Sequence, residues 1–130
     1  MIAVDTNVIV RLITGDDPTQ VARALELAAE QAFYVSFGVM IESEWVLRSR
    51  YGYDRATIAT AFAGLIDLVD LRFEDDAGAR WAIDRYRLGG ELADYCHVAA
   101  AHRIGHFASF ERRLAQRAGS ESPCTIETLA

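Results

Sequence analysis

Three acidic residues stand where ordinary helix and strand patterning does not ask for one. Asp5 closes the apolar run Ile2-Ala3-Val4, at the C-terminal end of a predicted strand, which is where parallel α/β sheets place ligand sites. The same position suits a helix cap, and position alone leaves both readings open. Glu42 and Glu44 differ in their neighbours. On a helix, Glu44 has Arg48 four residues on and reads as a surface ion pair. Glu42 has Val39, Trp45 and Val46 three and four residues away, so it is expected on an apolar face with no basic partner nearby. A carboxylate entering a dry site is strongly penalised, so its partner must come from elsewhere, either a metal ion or an arginine of another helix. Asp94 falls inside a predicted helix, where Asp is a poor helix former, with Glu91 three residues earlier on the same face. A shared cation would reverse their repulsion, and a solvated acidic stripe is the alternative. The chemistry open to these acids is cation binding.

Other constellations are thinner. Cys96, His97, His102 and His106 are zinc-type donors, but only His102 and His106 share a helical face, and Gly105 breaks that helix. No Gly-x-Ser-x-Gly nucleophile turn, phosphate-binding Gly-x4-Gly-Lys or dinucleotide Gly-x-Gly-x-x-Gly is present. Trp45, Tyr51 and Trp81 read as core or interface aromatics in preference to a stacking platform. The net charge of −6 argues against a broad basic surface that coats nucleic acid. All 13 basic residues are arginine. Two cysteines make no disulfide framework. Charge interrupts every apolar stretch before membrane-spanning length, and the start of the chain lacks the basic and cleavage features of a signal peptide. A cytoplasmic protein with no membrane contact is expected.

The elements that must position these acids are short. A strand over residues 2–4 leads to a segment, 8–13, whose alternation fits a strand as well as a helix. Asp17-Pro18 opens a helix reaching about residue 32, with Val21, Ala24, Leu25 and Ala28 on one face. A strand over 33–36, a helix over 39–51 stopped by Gly52, and a helix capped by Asp54 follow. A strand within 68–73 precedes a helix from Asp75 and Asp76 to about 88. Beyond Gly89-Gly90, a helix over 91–104, a strand over 106–109, a helix over 110–118 and an edge strand at 125–126 complete the pattern. At 130 residues this predicts one α/β domain, a parallel sheet with helices on both faces.

Four segments in order resemble the PIN-domain family, and specifically the VapC-type toxins of bacterial toxin–antitoxin pairs. They are Ile2-Ala3-Val4-Asp5-Thr6-Asn7, then Ile41-Glu42-Ser43-Glu44-Trp45-Val46-Leu47-Arg48 with Tyr51-Gly52, then Leu92-Ala93-Asp94-Tyr95-Cys96-His97, and Phe107-Ala108-Ser109-Phe110-Glu111-Arg112-Arg113-Leu114. The resemblance implies a three-layer α/β/α PIN domain over residues 1–130 with a short-stranded parallel central sheet. It implies that Asp5, Glu42 and Asp94 bind the metal and are catalytic. Glu111 stands as a fourth catalytic acid where the family usually has Asp; one methylene longer, it either binds through water or does not reach the metal. Thr6, Asn7 and Ser109 match supporting positions, and Glu91 a frequently acidic one. Hard oxygen donors suit Mg²⁺ or Mn²⁺, and the implied activity is hydrolysis of RNA, structured tRNA or rRNA, to 5′-phosphate and 3′-hydroxyl ends. Arg11, Arg48, Arg50, Arg112 and Arg113 lie near the acids in sequence and are candidate RNA contacts, or else solvated ion-pair partners. A homodimer silenced by a small antitoxin is implied by the same resemblance, with helices in residues 18–32 and 39–65 as contact surfaces. Alternatives are a PIN-like RNA- or partner-binding module with impaired catalysis and, less well matched because Asn7 replaces the second Asp of its signature, a metal-dependent phosphatase.

Overall fold

Asp, Ser and Gly residues punctuate this chain so regularly that most helix starts follow from side-chain capping. The computed structural model describes all 130 residues and resolves into two compact units, residues 1–74 and 75–130. In the first, β1 (Ile2–Ala3), β2 (Phe33–Val35) and β3 (Leu71–Phe73) form a parallel sheet in that order. Ile2 pairs with Phe33, and Phe33 in turn with Leu71. Helices α1 (Thr6–Thr14) and α2 (Pro18–Glu30) connect β1 to β2, and α3 (Phe37–Ser49) and α4 (Arg55–Leu68) connect β2 to β3. The ambiguous segment after Asp5 is therefore helical. Asp5 accepts from the Val8 N–H at 3.2 Å, and helix α1 ends at Gly15, whose φ of 65° gives the left-handed turn.

Asp17, Ser36 and Asp54 cap α2, α3 and α4 in the same way, each accepting from a backbone N–H three residues on. The Ser36 cap starts α3 at Phe37, two residues before the apolar pattern suggested. Buried Val4, Ile9, Val10, Phe33, Val35, Met40, Leu47, Ile58, Phe62 and Phe73 make this unit's core. Helix α2 contributes no buried residue; its apolar stripe is half covered and Leu25 is exposed.

In the second unit α5 (Asp76–Leu88), capped by Asp75, packs on α6 (Leu92–Ala100). Strand β4 (His106–Ser109) and β5 (Thr125–Thr128) pair in parallel around α7 (Leu114–Ala118). Ala82, Ile83, Tyr86, Leu92, Tyr95, Cys96 and Val98 fill its core. Trp81 meets Tyr95 edge to face, with ring centroids 5.8 Å apart. Both cysteines are free and buried, and the Cys124 thiol donates to the Val98 carbonyl at 3.2 Å. Two elements are shorter than their patterns: α6 stops at Ala100 and passes into turns through Ile104, and α7 begins only at Leu114. The α/β class with short parallel strands is as expected, with three strands in the first unit and two in the second. No helix is long and apolar enough to cross a membrane.

Candidate active site

The turn between β1 and α1 and the first half of α3 meet through one hydrogen bond. The Thr6 hydroxyl, in the first turn of α1 and largely buried, donates to Glu42 Oε1. Asp5 immediately precedes Thr6 and uses Oδ1 to cap α1. The cap reading of Asp5 is therefore borne out, and it uses one of the two carboxylate oxygens. Both carboxylates are exposed, and Asn7 beside them is exposed as well.

The exposure of Glu42 reverses the expectation for the pair on α3. The core face of this helix is Phe37, Met40, Ser43, Glu44 and Leu47, so the buried acid is Glu44, whose side chain is 6% exposed, while Glu42 faces solvent. The Glu44–Arg48 ion pair forms as expected, with Nε to Oε2 at 2.8 Å, but as a half-buried contact and not a surface one. The reason is Trp45. Counting it as a core residue drew Glu42 onto an apolar face, yet Trp45 is 49% exposed. The guanidinium carbon of Arg50 lies 5.9 Å from its ring centroid.

A second acidic group lies in the other unit. Asp94 is in the first turn of α6 and not in mid-helix, where a carboxylate complements the helix dipole. Partial burial pushes its carboxyl above the ordinary carboxylate range, and Glu91 and then Glu111 push in the same direction against the opposing charges of His97 and Arg117. Glu111 accepts from the Arg113 N–H at 3.0 Å, and its own N–H donates to the Ser109 hydroxyl at 2.9 Å. Ser109 thereby orders the turn that carries Glu111. Glu91 and Glu111 each repel the Asp94 carboxylate.

The arginines divide. Arg11 donates to Gln20 at 2.7 Å, to Asp16 at 3.2 Å and to the Tyr51 hydroxyl at 3.1 Å, so its charge is committed to holding the end of α1 against α2. Arg48 is engaged by Glu44. Arg50, Arg112 and Arg113 are exposed. Nothing in residue spacing pointed to the Thr6–Glu42 bond, which joins positions 36 residues apart. The family resemblance does imply it, since it makes Thr6 or Asn7 a supporting group that hydrogen-bonds to the carboxylates. Nowhere do three or more His, Cys, Asp or Glu side chains stand close enough to hold a metal ion as a ready-made cluster. The donors present are carboxylates, hard oxygen ligands that fit Mg²⁺ or Mn²⁺ better than zinc.

The family model for the PIN domain matches residues 2–120. PIN domains are generally nucleases and typically use divalent metals. The chain matches no curated protein and no solved structure.

Proposed function

Because the chain belongs to the PIN-domain family, a family of nucleases, we propose that it is a Mg²⁺- or Mn²⁺-dependent endoribonuclease, the toxin of a toxin–antitoxin pair. The observation that carries this reading is the Thr6 hydroxyl donating to Glu42 directly beside Asp5. It joins the residue that follows Asp5 to Glu42 of α3, and Asp5 and Glu42 are two of the positions where the resemblance puts metal ligands. Asp94 is the third proposed ligand, partly buried with Glu91 and Glu111 near enough to repel its charge, a repulsion that a bound cation would relieve. The match over residues 2–120 runs through both compact units, which supports one PIN domain over residues 1–130.

The bound ion would supply Lewis acidity and positive charge at the scissile phosphate. The chain's own residues do the rest. The Val8 N–H fixes Asp5 and leaves its second oxygen for a ligand. Thr6 fixes the rotamer of Glu42, so that little side-chain freedom is lost when a cation binds. Glu111, tethered to the Arg113 N–H, faces Asp94 as a supporting charge and is not itself assigned as a ligand. Asn7 and Glu91 are supporting polar groups, and Arg112 and Arg113 are the arginines proposed for phosphate contact. The reaction is attack by water on a phosphodiester of structured tRNA or rRNA, giving 5′-phosphate and 3′-hydroxyl ends. A small antitoxin would silence the protein in a homodimeric, cytoplasmic assembly.

The test compares cleavage of a tRNA by the wild type in Mg²⁺, the wild type in EDTA, and Asp94→Asn in Mg²⁺, with the product ends identified. Cleavage only in the first, leaving 5′-phosphates, is expected. Equal cleavage in all three overturns the metal-nuclease reading, and no cleavage with RNA binding retained makes the chain a binding module. Glu42→Gln is expected to reduce the rate at least about 100-fold, the scale of losing a group that positions the reacting centre.

A further inference from the structure

Opposite the core face of α3, at 3.6 residues per turn, lie Gly38, Glu42, Trp45 and Ser49. All four are exposed. Trp45 is out of place by burial logic, an indole 49% exposed on a helix whose Phe37, Met40 and Leu47 are sunk in the core. Its backbone and its ring each have a partner. The Ser49 hydroxyl donates to the Trp45 carbonyl, and the Arg50 guanidinium carbon stands 5.9 Å from the ring centroid. Glu42 is one turn away, roughly 5–6 Å between Cβ atoms for residues three apart on a helix. Gly38 adds no side chain to the stripe, and a Cβ there would meet only the Ser36 hydroxyl, at 3.7 Å. The way to Glu42 along this face is open.

We propose that Trp45, with the Arg50 guanidinium over its ring, is a stacking platform for an unpaired nucleobase of single-stranded RNA, taken on the indole surface that Arg50 leaves open, one helical turn from the Glu42 carboxylate. The location near the cleaved bond rests on the nuclease reading above; the stacking itself needs only Trp45 and Arg50. An indole face takes any base, and Arg50 can hold the neighbouring phosphate or stack on the same base. The platform fixes which nucleotide sits beside Glu42 by π-surface and not by base-edge hydrogen bonds, which predicts tolerance of sequence with a preference for the larger purines. The stripe offers no second large apolar side chain, only Gly38, Glu42 and Ser49, so it lacks the apolar seam that a protein partner would bury.

The full chain carrying Trp81→Phe, which leaves Trp45 as the sole indole, is titrated in EDTA with a single-stranded RNA of about eight nucleotides. An abasic strand of the same length is the control. The base-bearing strand is expected to quench Trp45 fluorescence and the abasic strand to leave it unchanged. Trp45→Ala is expected to weaken binding roughly 5- to 150-fold, Trp45→Phe less. Equal quenching by both strands, or unchanged affinity in Trp45→Ala, overturns the proposal. So does loss of self-association in Trp45→Ala with RNA affinity intact, which makes the face a protein interface. If Trp45→Ala does not fold, the contrast between the two strands decides alone. Mg²⁺-dependent cleavage is read separately: its absence with stacking intact removes only the nuclease reading, and its presence without stacking removes only the platform.

Discussion

Asp94 holds its proton more tightly than an ordinary carboxyl because it is partly buried and faces Glu91 and Glu111. The folded chain therefore binds that proton more strongly than the unfolded chain, so the contribution to stability falls as pH rises from 3.8 through the raised folded value. At neutral pH without metal the full penalty is present. Asp94→Asn is expected to raise the melting temperature in EDTA at pH 7 and to lose that advantage near pH 3. Mg²⁺ should stabilise the wild type and leave the variant unmoved. A variant that melts with the wild type at both pH values would mean that the Asp94 charge carries no penalty. Ser43 is the other residue under stress, fully buried on α3 with a hydroxyl that has no hydrogen-bond partner. Ser43→Ala is expected to stabilise by about 1 kcal/mol, since an unsatisfied buried hydroxyl is replaced by a methyl. Glu44→Gln should do the reverse, losing roughly 1–2 kcal/mol of the charge-assisted bonds to Arg48. Urea denaturation of both variants checks the two signs together.

Helix α4 depends on Asp54, which accepts from Thr57 and is held below the ordinary carboxylate range by that side chain first and then by its backbone N–H. Its contribution is present above pH 3.8 and is lost as pH falls through the lowered folded value. Asp54→Ala is thus expected to lower the melting temperature at pH 7 and to differ less from the wild type as the cap protonates. Such starts were legible in the sequence: Asp17-Pro18, Asp54 and Asp75 each sit where a cap must, and all three accept the expected N–H. Ends were harder. The sequence pattern carries helix α6 to Ile104, since Ala101 continues the alanines and Gly105 is the first breaker, and nothing local marks the turns at 101–104. The site was half legible. Asp5 at the end of β1 follows from strand logic, whereas the Glu42 face was read backwards because an exposed Trp45 has the same letter as a buried one. The Thr6–Glu42 bond exists only after the chain has folded, so no window of sequence contains it.

The whole molecule is acidic, at −6, while Arg11 and Arg48 are tied up by internal partners. Of the arginines near the acids, that leaves the exposed Arg50, Arg112 and Arg113 for phosphates, so affinity for single-stranded RNA should depend weakly on salt, with a slope of roughly −1 to −2 in log–log terms, the release expected from two or three phosphates. A slope of roughly −5 or steeper would require a basic surface that this chain does not present. The placement of its rare residues has a practical consequence. Trp45 lies in the first compact unit, and Trp81, Cys96 and Cys124 all lie in the second. Both thiols are shielded from solvent. A thiol-labelling reagent added to the native protein therefore times the opening of residues 75–130 alone, while indole emission from a Trp81→Phe chain times residues 1–74. Without any added label position, the chain reports whether its two units unfold in one step or in two.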